Sequence, residues 1–419
     1  MSGGVMLPLG EICRNASRRF APPEDGKVWF INTGDVEGGR FTHNDLSDWE
    51  GLPGQAKKAV VEGDILYSEI RPGNGRYAFV DQQYPNAVVS TKFMVIEASE
   101  SILPKYLYHV ITSPELQNAM KLIAESRSGT FPQITFDSIA HLELMVPSKP
   151  EQLAVSSLLD AIEGRIRNNQ KMNQTLEEIA KAIFKSWFVD FDPVRAKAEG
   201  RPTDLPPAIS DLFPDELVDS EIGEIPKGWS PSVAGDLFDC LDRKRIPLSG
   251  NDRAKRQGSI PYYGATGIID HVDDHIFDGT YLLIGEDGSV EKKDGTAFSQ
   301  YVSGKIWVNN HAHVLIGKGS ISTEFLYLAF QFVKVSPFVT GAVQLKISQT
   351  NLRSIPITSP PPEISEQFQK IVAPMFERRL LLEKENFCLA ELRDTILPKL
   401  ISGELRIPDA EKFLEEAGI

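Results

Sequence analysis

Cysteine is scarce in this 419-residue chain: Cys13, Cys240 and Cys388 are the only three. They stand too far apart for a CxxC metal or redox motif, and their odd number argues against a disulfide framework, so a reducing cytoplasm is expected. Long hydrophobic runs are missing. No stretch reaches the roughly 18 apolar residues of a membrane span, and the N-terminus has no basic segment leading into an apolar one, so nothing directs the chain to a membrane or out of the cell. Also absent are a GxxxxGK[ST] phosphate loop, an NPPY-like methyltransferase segment, HExxH and GxSxG, so no familiar catalytic centre is written here. Excess positive charge is lacking too. The 44 Lys and Arg face 58 Asp and Glu, a net charge of −14, and no segment is basic overall. Neutralising phosphates supplies most non-specific DNA affinity, so if this chain binds DNA, partners must supply much of the positive surface.

The chain does have length enough for two to three domains, with 41% hydrophobic residues to fill their cores. Between Glu151 and Phe188, Leu159, Ile162, Ile166, Leu176, Ala180, Ile183 and Trp187 recur at steps of three and four, a coiled-coil seam. Asn169 and Asn173 fall on that seam, where a buried amide trades stability for one register and one mate. The mate is expected in the same chain: Phe368, Ile371, Met375, Leu382, Leu389, Leu392, Ile396 and Leu400 repeat the spacing, with Arg378 and Glu385 as polar interruptions. Pro374 predicts a kink or a late helix start, because proline removes a helical hydrogen bond and clashes with the preceding turn.

The remainder reads as one unit written twice. Leu9-Gly10-Glu11-Ile12 is echoed by Ala234-Gly235-Asp236-Leu237, and Glu62 to Tyr67 by Asp278 to Leu283; each of the latter enters a glycine-punctuated turn, RPGNGR at 71–76 and GEDGS at 285–289. Val89 to Ile96 corresponds to Asn309 to Ile316, and Gly129 to Thr135 to Gly341 to Ser348, after which each copy runs into its long helix. The expected fold is α+β: two repeated mixed α/β domains (1–148 and 229–360) joined by two long antiparallel coiled-coil helices (149–190 and 361–405), pseudo-two-fold, the domains at opposite ends of a rod. Residues 191–228 hold six prolines and nine acidic against four basic residues; they read as an acidic proline-rich connector without a core, and 406–419 as a tail.

The strings TLEEIAKAIFKSWFVDFDPVRAK at 175–197, GEIPKGW at 223–229, IPYYGATGIID at 260–270 and LRDTILPKLISGELRI at 392–407, in this repeat order, resemble specificity subunits of Type I restriction-modification enzymes. The resemblance covers essentially the whole chain. It implies two target-recognition domains, each reading half of a split, asymmetric double-stranded DNA target. It also implies helices that act as spacer and docking surface for two methyltransferase subunits, joined by restriction subunits. Catalysis, with S-adenosylmethionine, ATP and magnesium, is then expected in the partners, and neither catalytic residues nor a metal in this chain. A helix of about 37 residues at ~1.5 Å each spans roughly 55 Å, more than the ~34 Å between successive turns of one DNA face. The competing reading is a non-catalytic coiled-coil scaffold that joins two protein partners.

DNA contacts are expected where polar groups crowd the strand ends. In the first domain Arg71, Asn74 and Arg76 suit guanine and adenine edges, or form a plain solvated turn. GNGRYA also fits a degenerate dinucleotide pattern, but a strand follows it. Thr91 and Lys92 with Arg127, Ser128, Thr130 and Gln133 form further polar edges; Gln344 and Lys346 take the last of these places in the second copy. There Arg243, Lys244, Arg245, Arg253, Lys255 and Arg256 make a phosphate-contact candidate, with Tyr262 and Tyr263 beside sugar or bases. Asn310 and His311, near Asn309 and His313, read as a polar DNA edge or a satisfied structural cluster in preference to a metal site, since no cysteine or carboxylate stands at ligand spacing.

Overall fold

In the computed structural model the described residues are 4–127, 131–341, 343–402 and 404–416, with 411 and 413–416 described by backbone alone. They form two compact units, Met1–Asn168 with Glu385–Ile419, and Asn169–Lys384.

In the first unit, strand Ile65–Ser68 lies between Tyr77–Phe79 and Phe93–Ala98, and Cys13–Asn15 flanks the latter, all antiparallel. The run Phe93 to Ile96 is buried throughout, because both faces of the sheet are covered. Alternation along a strand divides its residues between two cores. Ile65, Tyr67, Met94 and Ile96 join the long helices, whereas Leu66, Phe93 and Val95 join Trp29, Ile31 and Val89 of a second four-stranded sheet.

The second unit repeats Cys13–Asn15, Phe93–Ala98 and Ile65–Ser68 as Phe238–Cys240, Ala312–Gly317 and Phe277–Gly285, and extends the sheet to six with Ser299–Val308, Gln257–Tyr263 and Ile268–Val272. Each copy also closes its beginning on its end, Val5–Pro8 against Glu143–Val146 and Ser230–Val233 against Pro356–Ser359. The glycine common to both short helices has a cause. A Cβ on Gly10 would lie 3.2 Å from the Ala140 side chain and one on Gly235 2.8 Å from that of Arg353, so glycine favours the close approach in the first copy and a larger residue would force a shift in the second. Registers refine the repeat. The Glu69 amide bonds the Lys92 carbonyl as the Glu286 amide bonds that of His311, so Met94, two residues on, corresponds to His313, and the sequence alignment of these strands slips by one residue.

The long helices run Lys149–Phe188 and Pro362–Ser402, each contributing to both units. In the first unit Arg165 bonds Glu385 at 2.7 Å and Glu163 faces Arg393 at 3.8 Å; in the second, Glu177 meets Arg379 at 3.1 Å and the Trp187 ring lies tilted 5.9 Å from that of Phe368. Rising numbers meet falling ones in each, so the helices pair antiparallel. Leu159, Ile162, Asn169, Trp187, Phe368, Leu382, Leu389, Ile396 and Leu400 are buried as the seam requires, while Ile166, Asn173, Leu176, Ile183, Ile371, Met375 and Leu392 are half-buried. The seam of the second helix turns by one position, burying Val372 and Phe376, and the polar interruption is Arg379, not the exposed Arg378. Pro374 does not delay that helix, which starts twelve residues earlier at Pro362; its ring lies on an exposed position.

The connector is also corrected. Residues 191–228 carry helix Asp192–Ala198 and the hairpin Leu217–Ser220/Gly223–Pro226, and they bury Phe191, Val194, Phe213 and Ile225 in the second unit. Phe213 meets Trp187 edge-on at 5.2 Å and Phe191 meets Trp229 at 5.7 Å. Pro193, Pro206 and Pro207 stand at helix starts, where a missing N–H costs nothing, while the few apolar residues reach the core.

Candidate nucleic-acid interface

Three loops meet at the end of the shared sheet in each unit, held by the same backbone bonds. In the first, the Glu69 amide donates to Lys92 (2.9 Å), the Ile134 amide donates to Glu69 (2.9 Å), and Ile70 bridges Gln133. In the second, Glu286 donates to His311 (2.8 Å), Ile347 to Glu286 (2.9 Å), and Asp287 bridges Lys346. A capped short helix anchors the third loop in both, from Thr135 and from Ser348. Polar segments that lie more than sixty residues apart in sequence are therefore brought together twice.

In the first junction Arg71 and Asn74 are exposed and line a hollow of about 360 Å³ with Lys121, Glu125 and Pro132. Arg71 holds a left-handed backbone, φ 47°, and its guanidinium lies 5.9 Å from the Phe131 ring. Such a conformation costs a non-glycine residue about 1–2 kcal/mol, a constraint of the kind found where a loop is held for use. Arg76 is committed inward, donating to the Thr33 carbonyl at 2.7 Å. Lys92, Arg127 and Gln133 are exposed; Ser128 and Thr130 lie outside the described residues. Beneath them burial raises the Glu69 carboxyl above its ordinary range, against the pull of Lys58 and Lys92.

Thr91 lines a different cleft, about 890 Å³, with exposed Arg19 and Lys57, half-buried Lys58 and the Phe20–Trp49 pair. These residues were not singled out from sequence. The signal was there in the pairs Arg18-Arg19 and Lys57-Lys58, which strand pairing of Arg19 with Lys58 brings side by side.

In the second unit the six-cation cluster divides. Arg243, Lys244 and Lys255 are exposed. Arg253 is spent on Asp270 (2.7 Å) over the Tyr262 ring, Arg256 on Asp273 (2.9 Å) over Trp307, and Arg245 on Glu286 (2.7 Å) and the Ala312 carbonyl. Tyr262 is 1% exposed, its hydroxyl bonded to the Leu248 amide, so it belongs to the core; Tyr263 is half-buried against a second core cluster. Asn310, Gln344 and Lys346 are exposed, and His311 is exposed but bonded to Asp287. Val343, at the tip of the third loop, is wholly exposed.

His313 is buried among the Cys240 thiol and the Asp242 and Glu286 carboxylates, groups that sequence spacing did not place beside it. Burial would push its imidazole down, but the hydrogen bonds to Asp242 and Cys240 and the Asp242 charge raise it to about 10. Burial likewise works against the Asp242 carboxylate, yet His313 and Arg245 hold it below its ordinary range. The side-chain N, O and S atoms of Cys240, Asp242 and His313 lie within 4.8 Å of one another, as do those of His109, Asp160 and Glu163 in the first unit. In the first set Asp242 already bonds His313 at 2.5 Å and pairs with Arg245 at 3.3 Å. Among the described residues no helix is long and apolar enough to cross a membrane.

Residues 4–178 and 226–386 match the family model described as Type I restriction modification DNA specificity domain. The chain is 36% identical to the Type I restriction enzyme HindI specificity subunit of Haemophilus influenzae, over 97% of this chain and 100% of that one. It is 26% identical to the Type I restriction enzyme MjaIX specificity subunit of Methanocaldococcus jannaschii, over 76% and 72%. The crystal structure of a Type I restriction-modification system S subunit from M. genitalium has the same fold, with a TM-score of 0.53 at 14% identity and coverage of 95% and 96%.

Proposed function

The chain belongs to the Type I restriction-modification DNA specificity family, whose role is to select a DNA sequence, and from that premise we propose that it reads a bipartite, asymmetric target in duplex DNA. Each three-loop junction reads one half. The observation that carries this reading is the duplication itself. The same backbone bonds hold both junctions, while the exposed side chains differ, Arg71, Asn74 and Lys92 in one and Asn310, Gln344 and Lys346 in the other. Two like frames with unlike edges suit two unlike half-sites.

The chain does no chemistry in this reading. Two methyltransferase subunits and the restriction subunits dock on it and bring S-adenosylmethionine, ATP and magnesium. They also bring positive surface, which a chain of net charge −14 needs. The long helices set the unread gap. Methylome sequencing of cells with and without the chain should show one split motif that disappears with it, and footprinting of the assembled complex should show two protected blocks. Adding a heptad to both helices should change the preferred gap. Assembly with protein partners but no sequence-dependent methylation would instead favour the scaffold.

A further inference from the structure

We infer that His313 is a positioning residue of the second unit: a buried cation that locks its three recognition loops to one another, so that discrimination at one half-site depends on it and at the other does not. The inference rests on the reading above and goes further, in naming what holds a loop cluster in place.

The geometry dictates the charge. His313 Nε2 faces the Ile347 carbonyl at 2.9 Å and Nδ1 faces an Asp242 carboxylate oxygen at 2.5 Å. Both are acceptors, and a neutral imidazole has one N–H, so satisfying both contacts requires the imidazolium. The ring thus ties the strand Ala312–Gly317 to the third loop through Ile347 and to the turn after Phe238–Cys240 through Asp242. The Asp242 second oxygen accepts from the Val314 amide at 2.9 Å. Glu286 brings in the remaining loop: its carboxylate lies 3.6 Å from His313 Nδ1, 2.7 Å from Arg245 and 3.3 Å from Lys346. The groups that face the ring are therefore Asp242 and Glu286, with Cys240 beside it and Arg245 and Lys346 sharing the two carboxylates. Deprotonation would set the lone pair of a ring only 1% exposed against a carboxylate and cut one loop tie. The first unit has Met94 at the matching position, wholly buried and without charge.

The test uses the full chain assembled with its methyltransferase partners, on DNA substrates altered in one half-site at a time. Gln344→Ala first identifies the half read by the second unit. His313→Leu, apolar like the Met94 of the other copy, and His313→Gln, which keeps one donor, should relax discrimination in that half by at least about 10-fold and leave the other half within about 2-fold, Gln less than Leu. Wild-type discrimination in that half should fall as pH rises from about 8 through 10, the other half should not follow, and the His313 variants should lose the pH dependence. If His313→Leu does not fold, Asp242→Asn carries the same half-site and pH comparison. Equal loss in both halves, or a pH profile shared by both, would overturn the inference while leaving the bipartite reading intact. A wild-type complex without sequence preference would overturn that reading instead.

Discussion

The two junctions share a backbone and differ in what lies beneath it. In the first unit the Val95 amide is capped by the neutral Asn15 side chain, and Met94 fills the space below; in the second the matching Val314 amide is capped by Asp242, and His313 fills it. A ladder of amide–carbonyl bonds does not care which side chains decorate it, so a duplicated frame can diverge in chemistry while its loops keep their places. The apolar version is tolerant. The ionic version works only when every member is present, because a buried charge that loses its partner costs more than the pair contributes.

The largest break in that comparison should come from Asp242→Ala. It takes the carboxylate from Nδ1 of the buried His313 imidazolium and leaves Arg245 to Glu286 and the Ala312 carbonyl, at a cost of about 3–5 kcal/mol. Met94→Leu in the first unit is a near-isosteric apolar change and should cost under about 1.5 kcal/mol. Limited proteolysis followed by mass mapping reads the two units separately; equal protection of Asn169–Lys384 in wild type and Asp242→Ala would contradict the ionic account.

Titration sharpens the same contrast. His313 is raised in the folded state, so the stability it contributes is fully present below the ordinary histidine range and is lost as pH climbs through about 10. Asp242 is held low, so its contribution is present above the ordinary carboxylate range and is lost as pH falls through the depressed value. Hydrogen exchange, corrected for intrinsic base catalysis, should show the amide of Ile347 loosening at alkaline pH before that of Ile134, though each bonds the corresponding glutamate carbonyl at 2.9 Å. Simultaneous loosening would mean that the charge under the second junction holds nothing.

What could be read in advance follows the range of the forces involved. The repeat, both long helices and the antiparallel pairing are written in local period and order, and the sequence carries them. The one-residue slip at Met94 and His313 arises because pairing register depends on which face meets which core, information held in distant strands. The connector misled because its composition resembles a linker, while Phe191 and Phe213 dock on Trp229 and Trp187, partners beyond any local window. The cation cluster misled for the same reason: Asp270, Asp273 and Glu286 neutralise Arg253, Arg256 and Arg245 from neighbouring strands and loops.

A smaller effect distinguishes the turn of the first unit. Arg71→Gly removes both a guanidinium and the strain of its left-handed backbone, whereas Arg71→Ala removes only the first. If Arg71 reads a base, both variants should lose about 1–3 kcal/mol of discrimination at one half-site, 5- to 150-fold in relative methylation, while the glycine variant folds at least as stably as wild type. If the turn is merely solvated, methylation of both variants should match wild type and only the stability difference should remain.

The finest test returns to charge. Lys244 and Lys255 are exposed, whereas Arg256 is bonded to Asp273 and lies 4.7 Å from the Trp307 ring. A cation that contacts phosphate releases a counterion on binding, so each such residue adds about 0.9 to the slope of log affinity against log salt. Lys244→Ala with Lys255→Ala should therefore lower the slope of the assembled complex by up to about 2, with no change in which sequence is preferred and no loss of folding. Arg256→Ala should do the reverse, disturbing the packing over Trp307 while leaving the salt slope near its wild-type value. Equal slopes in all three would move phosphate binding away from this cluster and toward the Arg19 and Lys57 cleft of the first unit, or onto the partner subunits.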